Sequence, residues 1–348
     1  MDDVNRRSAA AKTRPLCLLL SGLLLCSCTS LRDSVPAWVQ NPQFIYPESD
    51  YLVAVGEGDT RRAAENAAAA NLSRIFEARI ESDERLIDQV RETDRSLERT
   101  VDFSTDINVL SAQTLYNIRH AEAWTDDNGR VHAIAYLDRR RTAALYREKM
   151  DEEQKQVDLL RARAAESADP LTAYALLRTA VRHADEAADL LNQLNIIHPP
   201  AAAGSSAGYD AYALRRALAK TAQQIRVEIH MDGDLDGRIA STLEHLITGY
   251  GFVIGTPFTL KIEGRIAIED TGQRTADLAF VRYELLVQIK DHAGGILSSI
   301  SEKGREGHIS VQEARVRSFR TLESALDSRC TKQLNDYFDS LVNHGRLP

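Results

Sequence analysis

The chain has 348 residues, a formal net charge of −8, 43% hydrophobic and 27% charged residues, and four cysteines. That length suits about two folded units with a core in each, and the balanced composition excludes a disordered tail protein, a disulfide-stapled miniature and a general nucleic-acid binder. Low aromatic content with abundant alanine favours helices packed closely on a partner element.

The N-terminus differs from the rest. Arg6, Arg7, Lys12 and Arg14 precede an apolar run from Leu16 to Cys26, and small residues follow. A basic region, a short apolar core and a small-residue exit are the parts of a secretory signal peptide, and this run is shorter than the ~17–25 residues that cross a bilayer as a helix. Arg6-Arg7 also starts a twin-arginine pattern, but the following Ser-Ala-Ala-Ala-Lys lacks the apolar residues that signal needs.

The segment Leu25-Cys26-Ser27-Cys28 resembles the lipobox of bacterial lipoprotein precursors. The resemblance implies cleavage after residue 27 and lipidation of Cys28. Modification at Cys26 would instead place Leu25, not a small residue, before the cut. Several acyl chains on one cysteine bind a bilayer firmly, at ~0.8 kcal/mol per buried methylene. Removing residues 1–27 takes away four basic and two acidic residues, so the charge falls from −8 to −10. The lipid, rather than a basic surface, would then hold the protein to an anionic membrane. The tether from Thr29 to Pro36 reaches about 30 Å when extended, so the first folded part stays close to the bilayer.

Tyr51–Gly58 reads as a strand ending in two glycines, with Asp59 and Thr60 as helix-cap candidates. The following alanine-rich segment places Ala64, Ala68, Leu72, Ile75 and Phe76 on one helical face, and a charged continuation runs from Glu81 to Thr100. Two strand-like runs then flank Asn128-Gly129, a hairpin-turn signal. "PAWV", "YLVAVGEG" and "AAENAAAANLSRI" make the stretch from Pro36 to Arg141 similar to the domain of the twenty-kilodalton Lpp-type lipoproteins. A related domain occurs at the N-terminus of a flagellar collar protein. The resemblance implies an α/β envelope or appendage domain and carries over no catalytic residue.

From Thr142 the period becomes helical. Tyr146, Met150, Val157, Leu160 and Ala164 form one stripe; Asp169-Pro170 breaks the run; Tyr174, Leu177, Val181, Ala184, Ala188, Leu191 and Leu194 form a second. Together they predict a helical hairpin. "HPPAAAGSSAG" at 198–208 has linker composition. Beyond it the order is helix, strand, acidic turn, helix and then alternating strands through Ile262–Ile268, Tyr283–Ile289 and from Ile296. Ser310 and Glu313 form a capping box before a helix that carries Phe319, Leu322, Leu326, Cys330, Leu334, Tyr337 and Leu341 on one face. Cys330 there reads as a small buried hydrophobe. This order suits helices on one face of an antiparallel sheet and loosely resembles α/β modules of envelope assembly proteins, including lipoprotein activators of peptidoglycan synthases.

The expected fold class is α+β: two small α/β sandwich-like units, with helices on antiparallel or mixed sheets, joined by a helical hairpin. The expected boundaries are a signal peptide at 1–27, anchor and tether at 28–36, an N-terminal domain at 37–141, the hairpin at 142–198, a linker at 199–208 and a C-terminal domain at 209–348.

Chemistry-bearing motifs are few. Asp232, Asp234, Asp236 and Gly237 match the first half of a calcium loop, but the closing position 243 is Leu and Glu244 falls one residue late. A helix-capping turn explains the same carboxylates. "VGEG" lacks the third glycine of a dinucleotide fingerprint. The nine histidines form no zinc-hydrolase pair, and there is no Gly-x-Ser-x-Gly elbow. "SEKGREGH" at 301–308 is a candidate anion or partner site, or else a mobile hairpin end.

The residues and resemblances therefore predict a non-catalytic, lipid-anchored envelope protein without a cofactor. Thr29 in place of aspartate points to the outer membrane, with the body on the periplasmic side. The expected role is a structural or assembly factor of that membrane or of a surface appendage such as the flagellum. The alternatives are a regulator of peptidoglycan synthesis and a calcium- or ligand-binding protein. The expected partners are the membrane through Cys28, envelope or appendage proteins and peptidoglycan-associated proteins, with no nucleic acid.

Overall fold

Strand β1 (Tyr51–Gly58) meets helix α2 (Arg61–Asp94) through glycine and alanine, and that contact sets the geometry of the N-terminal part. A computed structural model of the chain describes residues 35–94, 115–206, 209–275 and 278–344, and of 81–94 and 344 the backbone only. The signal peptide, Cys17, Cys26, Cys28 and residues 95–100 of the charged continuation lie outside the described residues.

A short helix α1 (Ala37–Gln40) and a 3-10 turn (Pro42–Phe44) precede β1. Strands β2 (Arg119–Thr125) and β3 (Val131–Asp138) complete an antiparallel sheet of order β1-β3-β2. Ala64, Ala68, Leu72, Phe76 and Ile80 of α2 are buried. These sit four residues apart, so the stripe bypasses Ile75, which is 41% exposed rather than in the expected core face. On β1, Leu52 and Ala54 share that core with Phe76.

The Asn128-Gly129 signal marks the hairpin but not a two-residue turn. Asp126 Oδ1 accepts from the N–H groups of Asn128 and Arg130, both at 2.9 Å, and Gly129 alone takes positive φ (+81°) in this loop. Asn128 therefore stays in the ordinary region, and the loop spans Asp126–Arg130.

Helices α3 (Arg139–Glu166) and α4 (Pro170–Ile197) form the expected hairpin. Asp169 caps α4 by accepting from Leu171 N (3.3 Å) and Thr172 N (2.9 Å), and Pro170 fills the first helical turn, where its missing N–H costs nothing. In the second half of α4, Ala184 and Leu194 are buried as expected, but Ala187 and Leu190 are buried one residue before the expected Ala188 and Leu191. The helix is more than a connector. Tyr174, Leu177, Ala180 and Ala184 belong to the core of the C-terminal part, whereas Leu190, Leu194, Ile196 and Ile197 belong to the N-terminal core.

The stretch expected as a linker departs further from expectation. Pro199–Ala203 form helix α5, with His198 Nδ1 accepting from Ala201 N at 3.1 Å, and Ala201 and Ala202 are buried in the N-terminal core. Small side chains that suit a flexible linker equally suit close packing, and composition does not separate the two.

The C-terminal part comprises α6 (Ala211–Ala222), β4 (Arg226–Asp232), α7 (Arg238–Gly249), β5 (Val253–Ile254), β6 (Leu260–Thr275), β7 (Leu278–Asp291), β8 (Ile296–His308) and α8 (Val311–His344). Its sheet order is β5-β4-β6-β7-β8. β6, β7 and β8 are antiparallel neighbours, but β4 pairs in parallel with both β5 and β6, so the sheet is mixed rather than wholly antiparallel. The α7 crossover returns the chain to the same end of the sheet, which forces the parallel pairing. Along β7, Tyr283, Leu285, Val287 and Ile289 are buried with Leu322, Leu326, Cys330 and Phe338 of α8, and Val281 continues the buried face. Arg282, Glu284 and Leu286 on the opposite face are exposed, and Gln288 there is half-buried. On the same face Lys261 pairs with Glu263 (3.2 Å), and Lys290 also pairs with Glu263, as expected of a charged, solvated surface. Tyr174 of α4 packs edge-on to Phe252 and Phe338, with centroids 4.8 and 5.2 Å away, and thereby ties the hairpin to this part.

Candidate functional site

The residues singled out in the sequence do not converge on one site. In the acidic turn, Asp234 Oδ2 accepts from Ala240 N in the first turn of α7 at 2.8 Å, while Asp232 Oδ1 pairs with His230 Nε2 at 3.1 Å. Asp236 is exposed, and Gly233 and Gly237 supply positive φ of 78° and 67°. Asp234 Oδ1 has no hydrogen-bond partner, but the neighbouring carboxylates point to other tasks. Among the described residues no group of three or more His, Cys, Asp or Glu side chains is arranged to hold a metal ion. The turn works as a helix cap, the capping alternative of the sequence reading.

The glycines of "VGEG" serve packing. A Cβ on Gly56 would overlap the α2 backbone at Ala68 N, at Ala67 C (2.5 Å) and at Ala64 O (2.7 Å). The segment 301–308 is neither an anion loop nor a mobile hairpin end. It lies inside β8, paired with β7 along its length. Gly304 sits under the Tyr283 ring and Gly307 under Phe280, on which Arg305 stacks 4.0 Å from the ring centroid. Each glycine leaves room for an aromatic side chain from the neighbouring strand, which the local sequence does not reveal.

Cys330 is fully buried, and burial, with Asp327 nearby, pushes its thiol up to about 12. A thiol this protonated and enclosed is a poor nucleophile. Ellman's reagent at pH 8 should leave Cys330 of the native protein unreacted and label it fully in denaturant; rapid labelling without denaturant would contradict the buried placement.

Among the described residues a concave feature lies at the outer edge of β1. It is a trough of about 460 Å³ with Val53, Ala54 and Val55 as its floor. Asn71, Arg74 and Ile75 of α2 form one wall, and Val39 and Pro42 form the other. Asn71 Nδ2 donates to Val55 O at 2.8 Å, and Arg74 donates to Asn71 Oδ1, also at 2.8 Å. Sequence reasoning placed Ile75 on the core face and gave none of these positions a binding role. The available signal was Ile75, an aliphatic residue off the four-residue stripe, beside the polar Asn71 and Arg74. No catalytic acid, base or nucleophile lines the trough.

Residues 36–138 match the family model described as LPP20 lipoprotein. This stretch is an LPP20 lipoprotein family domain. It coincides with the stretch that carried the sequence resemblance and includes Trp38, the whole trough and the three-stranded sheet. No curated protein matches the chain. Solved structures similar to the chain include the secreted protein HP1454 from Helicobacter pylori, at 14% identity over 79% of this chain and 98% of that one, with a TM-score of 0.38. Another is a minor lipoprotein from Acinetobacter baumannii, at 10% identity over 32% of this chain and 90% of that one, with a TM-score of 0.25. Among the described residues no helix is long and apolar enough to cross a membrane.

Proposed function

We propose that this chain is a lipid-anchored lipoprotein of the cell envelope, acylated on Cys28, whose folded body acts as a non-catalytic structural or assembly factor. The observation that carries the reading is the position of the LPP20 domain. It begins eight residues after Cys28, so a lipidated Cys28 would hold the domain against the bilayer. Thr29 favours the outer membrane, with the body in the periplasm and its partners among envelope or appendage proteins such as those of the flagellum.

The regulatory reading needs the C-terminal part to project away from the membrane on a flexible linker. Packing disfavours that. α4 belongs to both cores, and α5 is seated in the N-terminal one. A body held together this way presents fixed surfaces, which suits assembly better than reach.

Radiolabelled palmitate should enter the wild-type protein in cells and be lost in Cys28→Ser. Label that persists in Cys28→Ser but disappears in Cys26→Ser would overturn the assignment.

A further inference from the structure

Among the described residues β1 is an outer strand of its sheet, paired with β3 alone. Because Val55 O is bonded to Asn71, the polar groups of Val55 face away from β3. In an antiparallel ladder this direction recurs at every second residue, and the β1–β3 register is unbroken. The N–H and C=O of Val53 therefore face the same open side. Further back the chain occupies its own edge: Tyr51 N donates to Pro47 O at 2.9 Å, and Tyr51 O accepts from Arg139 Nε at 3.4 Å. The open stretch is Val53 to Val55, the floor of the trough.

Exposed edges are ordinarily guarded by charge, proline, a bulge or a covering element. Val53-Ala54-Val55 has no charge, no proline and no bulge. We infer that the trough accepts an extended acidic segment of a partner protein as an added strand. Its backbone pairs with Val53 and with the N–H of Val55, its aliphatic side chains alternate between Ile75 and the Val39–Pro42 wall, and a carboxylate meets Arg74. Asn71 holds Val55 O and thus limits the added strand to a short one.

Charge selects this occupant over a second copy of the chain. Arg74 is the ionised side chain of the trough, is exposed and forms no ion pair among the described residues. A second copy seated trough to trough would set one Arg74 against another, and the trough lining holds no carboxylate to offset them. The inference gives the assembly reading its partner class and rests on that reading.

The test uses the full-length protein in detergent and a fluorescein-labelled peptide that alternates valine and threonine around one glutamate. In anisotropy titrations this peptide should bind at least about tenfold more tightly than its lysine counterpart, and Arg74→Glu should invert the preference. Val53→Pro removes the outward N–H without touching a bond to β3, and with Ile75→Asp as a second, surface-exposed variant it should abolish binding at unchanged circular dichroism. Absence of binding up to about 1 mM, or binding indifferent to both variants, would overturn the inference. So would a dimer of the chain that Val53→Pro dissociates. Photo-cross-linking in cells from benzoylphenylalanine at position 75 or at Arg282 separates the two levels. Capture from 282 but not from 75 keeps an assembly role and removes the trough from it, whereas capture from neither site removes the assembly reading. Capture from 75 supports the inference when the cross-linked peptide is an acidic extended segment.

Discussion

Gly56→Ala should cost about 3 kcal/mol or more of stability, a large effect for one added methyl group. The methyl would meet the backbone of α2 at Ala67 and Ala64, and a backbone has no rotamer with which to move aside. The helix would have to lift from the strand, opening the contacts of Ala68, Leu72 and Phe76 with Leu52 and Ala54. Gly129→Ala is the matched control. Its Cβ meets nothing within 4 Å, although φ is +81°, so it should cost only about 1 kcal/mol from backbone strain. Urea unfolding of both variants checks the pair, and a Gly56→Ala midpoint equal to that of Gly129→Ala would mean that the helix is not seated on the strand as described.

The second large effect is expected at Arg139. Its side chain is 8% exposed, and Nη1 donates to the carbonyls of Ile196 (3.0 Å) and Ile197 (2.7 Å) at the C-terminus of α4. These carbonyls lack helical partners and carry the negative end of the helix dipole, so a buried guanidinium satisfies hydrogen bonding and charge together. Burial lowers the Arg139 pKa, nearby Arg79 lowers it further and Glu48 opposes, so the site imposes a cost on the cation that the carbonyls must offset. Arg139→Met keeps most of the volume and removes both the cost and the bonds. The net loss should be about 2–4 kcal/mol, since buried carbonyls are left without donors. Arg139→Lys should recover only part of it, because one ammonium lacks the guanidinium fork.

The unfolding curve carries a further expectation. α4 contributes to both cores, so tryptophan fluorescence and far-ultraviolet circular dichroism should give coincident transitions in wild type. Both tryptophans, Trp38 and Trp124, lie in the LPP20 domain. Fluorescence midpoints that separate from the dichroism would show the two cores unfolding independently.

Much of this architecture was legible beforehand because its signals are local. Strand alternation in Tyr283–Ile289, the Ser310 cap, whose Oγ accepts from Glu313 N at 3.1 Å, and the Asp169-Pro170 break all act within a few residues of the chain. The site was less legible. The trough is made by residues of four elements, and Ile75 gains its place only because α2 crosses β1 on a four-residue stripe.

The sequence alone determined most of the elements, their apolar faces and the buried nature of Cys330, because these depend on periodicity, capping and residue type. Tertiary structure decided what no local pattern encodes. It placed β4 in parallel pairing, joined both cores through α4, and turned the small residues at 199–203 into packed helix. It also set Gly304 and Gly307 under aromatic rings and left Val53–Val55 as an open edge. Each of these outcomes depends on which distant segment arrives as a neighbour, and distance along the chain does not report that.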